Sequence, residues 1–242
     1  LPKTDQLAKI GTIPDRSCAL KLKMFRIKIC GLTTVDDAKI VAGAGADAVG
    51  LNFYPKSVRY ISLETAQAIV EALPDDVKKI GLFVNAPSSE ICQTFDALKL
   101  SAIQLHGDER PEFLTELGNR PVIRAFRLGP LGLPSIVEYI DRCQTLSCPP
   151  NMVLLDSYKK GTYGGTGKPA VWGAVAQYHS MVIDIPLILA GGLTPQNVGQ
   201  AIQATNPHAV DTASGVESSP GRKDRALVTS FVAAAVTGFA NA

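Results

Sequence analysis

The sequence is poor in most of the features that announce a function. Aromatic residues occupy only 6% of its 242 positions, a single Trp among them, and they do not alternate with Lys or Arg. Charge is nearly balanced, 24 Lys and Arg against 22 Asp and Glu, so there is no basic stripe to follow a phosphate backbone and nucleic acid is excluded as a partner. No apolar run is long enough to cross a bilayer, and the opening residues contain no compact apolar segment of a secretion signal, so no membrane role is expected. The cysteines (Cys18, Cys30, Cys92, Cys143 and Cys148) are odd in number and lack paired spacing, which points to reduced thiols in a cytoplasmic protein. Three scattered histidines offer no zinc-binding spacing.

What is present is apolar and periodic. Hydrophobic residues make up 46% of the chain and the mean hydropathy is +0.13, enough for one large core, and α/β barrels reach this length undivided. From Met24 onward the pattern alternates strand and helix. Short apolar runs at 26–30, 48–53, 79–84, 102–105, 122–126, 152–155, 186–190 and 209–211 read as strands. Helical periodicity follows each, at 34–44, 62–72, 88–98, 111–117, 134–144, 170–178, 195–204 and 223–236, with Thr33, Ser62, Pro111 and Pro134 as start signals. Gly43, Gly45 and Gly118 suit helix C-caps. Repeated strand and helix units with short apolar strands predict a single α/β domain, a closed (β/α)8 barrel of the TIM type over 24–242. Residues 1–23 lack periodicity and are expected to be a short N-terminal extension, with the folded domain starting near Met24.

In such a barrel the chemistry lies at the C-terminal ends of the strands. The first strand delivers Cys30 to that end, followed at once by Gly31. After strand two, Arg59 is either a solvated surface charge or a bidentate partner for a carboxylate. Asp156 ends strand six; it can cap the next helix, pair with a Lys, or act as a proton donor held neutral by apolar neighbours. The segments Ala190-Gly191-Gly192-Leu193-Thr194-Pro195 and Asp211-Thr212-Ala213-Ser214-Gly215 follow strands seven and eight. In barrels these two loops form the usual phosphate site through backbone N–H groups, which favours a small phosphorylated ligand.

The ordered series Lys28-Ile29-Cys30-Gly31-Leu32-Thr33, Gly45-Ala46-Asp47-Ala48-Val49-Gly50, Ser57-Val58-Arg59-Tyr60-Ile61-Ser62, Gly81-Leu82-Phe83-Val84-Asn85, Gln104-Leu105-His106-Gly107, Leu154-Leu155-Asp156 and Gly164-Gly165-Thr166-Gly167-Lys168, with the two glycine loops, resembles the phosphoribosylanthranilate isomerase family of tryptophan biosynthesis. The resemblance implies an Amadori rearrangement of an aminoaldose to an aminoketose, without metal or cofactor. It implies Cys30 as general base, Asp156 as general acid, Arg59 as the grip on the anthranilate carboxylate, and Gly191, Gly192, Ser214 and Gly215 at the phosphate. Gln104, His106 and Asp211 would line the pocket, His106 with a structural role as its alternative; Lys168 would hold the mobile loop 157–168. The base role requires a thiol pKa near ambient pH, and helix N-termini around the mouth are expected to lower it. The chain is expected to be a monomer or a homodimer.

Two other readings stand beside it. A dual-specificity isomerase shared with histidine biosynthesis would pair aspartates on strands one and six and carry a second glycine phosphate loop after strand three. Here Cys30 and Asn85-Ala86-Pro87 occupy those places. A catalytically silent phosphate-binding barrel would have no need of Cys30, Arg59 and Asp156 together.

Overall fold

The computed structural model describes residues 25–128, 132–156, 169–182 and 185–242. The expected extension at 1–23 and the loop 157–168, with Lys168, lie outside them. Eight parallel strands close into a barrel in chain order: β1 Ile27–Cys30, β2 Ala48–Asn52, β3 Lys78–Phe83, β4 Ala102–Leu105, β5 Val122–Arg127, β6 Met152–Asp156, β7 Leu187–Ala190 and β8 Ala209–Thr212. Closure is made by β1 against β8, with Ile27 opposite Val210, Lys28 opposite Asp211 and Ile29 opposite Thr212. Around the sheet run α1 Val35–Gly43, α2 Leu63–Ala72, α3 Ser88–Ala97, α4 Phe113–Glu116, α5 Pro134–Thr145, α6 Pro169–Ala176, α7 Tyr178–Met181, α8 Val198–Thr205 and α9 Arg225–Ala240.

Side chains alternate between the two faces of each strand, so the barrel has two cores. Ile27, Ile29, Val49, Leu51, Ile103, Leu105, Val153, Leu155, Leu187, Leu189 and Val210 belong to the large core that also takes in the buried helix residues. Ala48, Ile80, Ala102, Ile123, Met152, Leu154, Ile188 and Ala209 form a separate cluster with Phe25, which fills the barrel interior. The same alternation, continued two residues further along the inward phase, brings Lys28 and Cys30, Asn52, Gln104, Asp156 and Asp211 to the open end. The phase set by apolar packing below thereby fixes which polar residues share the mouth above.

Four local expectations change. The cap of α1 is Thr34, whose side chain accepts from Asp37 N at 3.1 Å. The Thr33 hydroxyl instead donates to Gly221 O at 2.6 Å, because a hairpin from the far end of the chain packs there. The helix expected from Pro111 shortens to α4: its approach is a series of turns, and Gly118, at φ +62°, ends it. Gly45, at φ +87°, also takes the left-handed conformation, whereas Gly43 is simply the last residue of α1. Finally, α8 begins at Val198 and not Pro195, because the Asn197 side chain accepts from Thr194 N and donates to Gly192 O, holding the preceding residues in a turn.

The elements between β8 and α9 were not anticipated. The polar segment after β8 forms a 3-10 turn, Ser214–Val216, and a small antiparallel hairpin, β9 Glu217–Ser219 with β10 Arg222–Lys223. Its signal was the Pro220-Gly221 pair, a turn dipeptide between short arms.

Candidate active site

A cleft opens at the C-terminal mouth, lined among others by Cys30, Arg59, His106 and Asp156 and by Gly191, Gly192 and Ser214. In the ring order, β1 and β6 are separated by β7 and β8, so Cys30 and Asp156 approach the cleft from different sides. Gln104 and Asp211 also line it. Gly215 does not; its contribution is to let two backbones meet.

Cys30 needs a glycine on either side. A Cβ on Gly50, its partner in β2, would lie 2.5 Å from Cys30 Sγ, so that glycine makes room for the thiol. Gly31, at φ +76°, turns the chain sharply, and a Cβ there would collide with the Arg59 stem. Cys30 itself is only 6% exposed. Burial pushes its thiol above the ordinary value, against the pull of Lys28 and Lys223 and with Asp211 adding to the rise. The expected lowering by helix N-termini is therefore corrected. The cations beside the thiol are lysines, and desolvation outweighs them.

Lys28 lies wholly buried beneath the cleft, its Nζ donating to Asp211 Oδ1 at 2.9 Å. Burial acts to strip its proton, but Asp211 and Cys30 outweigh burial and its pKa is raised. Removing either partner of such a pair leaves a buried charge uncompensated, at a cost of about 3–5 kcal/mol. Asp211 thus holds a buried ammonium at the cleft floor.

His106 is tied to Gln104 by a contact of 3.1 Å between Gln104 Nε2 and His106 Nδ1. The other ring nitrogen, Nε2, lies 3.9 Å from Asp156 Oδ2. Burial, with Arg127, Lys28 and Arg124 nearby, lowers the His106 pKa to about 4. The imidazole is neutral at physiological pH and is not itself a reservoir of acid.

The two glycine loops interlock. Gly191 and Gly192 have φ +90° and +67°, which lets the chain turn tightly from β7. Thr212 Oγ1 donates to Leu193 O at 2.7 Å, and a Cβ on Gly215 would collide with that same carbonyl. The opening N–H groups of a 3-10 turn have no partner within the turn, and this one begins at Ser214 beside the glycines. Gly215→Ala is expected to cost about 1–3 kcal/mol, since neither backbone can move aside. Thermal denaturation checks it, and an unchanged midpoint would refute the close approach.

Arg59 reaches the cleft already engaged. Its Nε donates to Glu217 Oε1 at 2.7 Å and its Nη2 to Glu217 Oε2 at 2.6 Å. Glu217 also accepts from Lys223 Nζ at 2.8 Å, and that ammonium donates to the carbonyls of Cys30 at 2.7 Å and Ala213 at 3.0 Å. Neither Glu217 nor Lys223 was singled out from the sequence, because the partners that bring them to the cleft, Arg59 and Cys30, lie 158 and 193 residues away along the chain.

A model of the family described as N-(5'phosphoribosyl)anthranilate (PRA) isomerase matches residues 27–234. The chain belongs to the phosphoribosylanthranilate isomerase family. Family members from Pseudomonas aeruginosa and Geobacter metallireducens are 45% identical over 207 residues and 42% over 210, each across 86% of this chain and 93% and 98% of their own lengths. The crystal structure of the isomerase from Thermotoga maritima superposes with a TM-score of 0.78 at 38% identity, over 88% of this chain and all of that one. Another isomerase structure, in complex with reduced 1-(o-carboxyphenylamino)-1-deoxyribulose 5-phosphate, gives 0.74 at 35% identity, with the same coverage.

Proposed function

We propose that Cys30 and Asp156 are the base and the acid of this isomerase. Family membership carries the reaction, an aldose–ketose isomerisation of tryptophan biosynthesis. Its substrate is N-(5-phosphoribosyl)anthranilate and its product 1-(2-carboxyphenylamino)-1-deoxyribulose 5-phosphate. The observation that supports the residue roles is one cleft lined by a thiol, a carboxyl, a guanidinium and a glycine loop pair.

Asp156 gives its proton to the furanose ring oxygen as the C1–O bond breaks, and the nitrogen lone pair forms a protonated Schiff base. That cation acidifies C2–H, and the Cys30 thiolate removes the proton; the electron pair moves into an enolamine. Reprotonation at C1 and loss of the hydroxyl proton give the ketone. Each group needs a suitable protonation state. Ring opening places an imine cation beside Cys30, which favours the thiolate against the cost of burial.

Arg59 receives the anthranilate carboxylate, and Gly191, Gly192 and Ser214 receive the phosphate, Gly215 shaping the loop. His106 and Gln104 hold the pocket wall beside Asp156. The catalytic unit is the barrel over 24–242, with 1–23 as an appendage, acting in the cytoplasm as a monomer or homodimer on a free small molecule. Among the described residues no helix is long and apolar enough to cross a membrane.

Substrate generated in situ and followed by loss of anthranilate-type fluorescence tests the reaction; absence of turnover would refute it. Arg59→Ala is expected to weaken carboxylate-bearing ligands by about 10- to 100-fold, the size of a charge-assisted pair, and simple sugar phosphates far less. Equal weakening, measured by calorimetry, would remove Arg59 from its role.

A further inference from the structure

The Arg59–Glu217 pair presents a difficulty that points to its own resolution. A carboxylate beside a cleft for an anionic ligand opposes binding by like charge, and here it occupies the guanidinium that should meet the ligand. Yet it takes only the Nε/Nη2 edge. A guanidinium carries five N–H donors in a rigid plane, so the Nη1/Nη2 edge retains a second fork. Nη1 makes no hydrogen bond among the described residues.

Exposure separates the two partners. The Arg59 side chain is 22% exposed and lines the cleft, while that of Glu217 is 4% exposed and does not line it. Glu217 therefore binds Arg59 from behind. It is itself held: Lys223, with a side chain that is fully buried, spends its donors on Glu217, Cys30 O and Ala213 O. Burial opposes ionisation of Glu217, but hydrogen bonds from Arg59 and Lys223 outweigh it and keep its pKa below the usual value. Lys223, Glu217 and Arg59 together carry one net positive charge, enough to meet one carboxylate.

We propose that Glu217, anchored by Lys223, is a positioning residue that fixes the plane of Arg59 so that its remaining fork faces the ring carboxylate of the substrate. The hairpin after β8 thereby ties three subsites together: the strand end of the base, the phosphate loop and the carboxylate fork. This rests on the role given to Arg59 above. A planar group clamped along one edge has lost the freedom to turn toward the phosphate, so the device supplies selectivity as well as affinity.

The test compares two ligands, the reduced product analogue and its counterpart lacking the ring carboxylate. In Glu217→Gln the first is expected to bind about tenfold more weakly, the second to change less than about threefold, and KM to rise with kcat nearly unmoved. Added to Arg59→Ala, the same change should have little further effect, since the two act as a unit. Equal weakening of both ligands, or effects that multiply in the double variant, would overturn the proposal and leave Glu217 a structural ion pair. If Arg59→Ala alone spares the discrimination, the role of Arg59 fails instead. Should Glu217→Gln not fold, Glu217→Asp keeps the charge that Lys223 requires and withdraws it by one methylene; it must show the same selective loss.

Discussion

Asp156→Asn is expected to lower kcat by about 10²- to 10⁴-fold, the usual worth of a positioned proton donor, while product affinity stays within about tenfold. The amide keeps the shape of the carboxyl and much of its hydrogen bonding, so binding is spared. What it lacks is a transferable proton for the ring oxygen. No neighbour replaces it: His106, with its pKa lowered to about 4, is almost entirely unprotonated at neutral pH. Steady-state turnover with calorimetric product binding decides the matter, and a fully active variant would disprove the acid assignment.

Cys30→Ala should bring a loss of similar size, about 10²- to 10⁴-fold in kcat, because it removes the group that takes the C2 proton. The pH profile supplies the more diagnostic result. A base acts in its deprotonated form, and burial raises the Cys30 pKa above the ordinary thiol value of 9.0. For the wild type, kcat/KM, which reports the free enzyme, should therefore still be climbing as pH rises through neutrality and past that value. The profile for kcat should level off at lower pH, because the bound imine cation favours the thiolate. In Cys30→Ala the climbing limb should vanish. A wild-type kcat/KM that is flat from neutral pH upward would show that the thiolate is already formed in the free enzyme.

The barrel was readable because each strand carries its own evidence. Ile27 and Ile29 alternate with polar neighbours, Met152 to Leu155 is an unbroken apolar run of strand length, and the number of such segments leaves few ways to close a sheet. Strand ends then follow from where the apolar run stops, which is why Cys30 and Asp156 fall where they were expected. Errors lie where two local signals compete over one turn. Thr33 and Thr34 are equal candidates for a cap, and only the distant Gly221 carbonyl decides between them.

The ion chain beneath the cleft had no comparable signal. Lys28 and Asp211 are 183 residues apart, and Arg59 and Glu217 are 158 apart. A lone lysine in a strand reads as an exposed charge until closure of β1 on β8 puts its partner opposite. The direction in which Cys30 titrates is hidden from the sequence for the same reason. Its direction depends on how much water the folded cleft excludes, which is a property of the assembled walls.

By itself, then, the sequence determined the order of elements, where each strand stops and the chemical types brought to the mouth, because apolar runs and turn chemistry are local. Only the tertiary structure decided which charges meet, which edge of Arg59 is left open and which way Cys30 titrates. Those are pairwise and desolvation energies, and they exist only once residues remote in the chain share a space from which water has been removed.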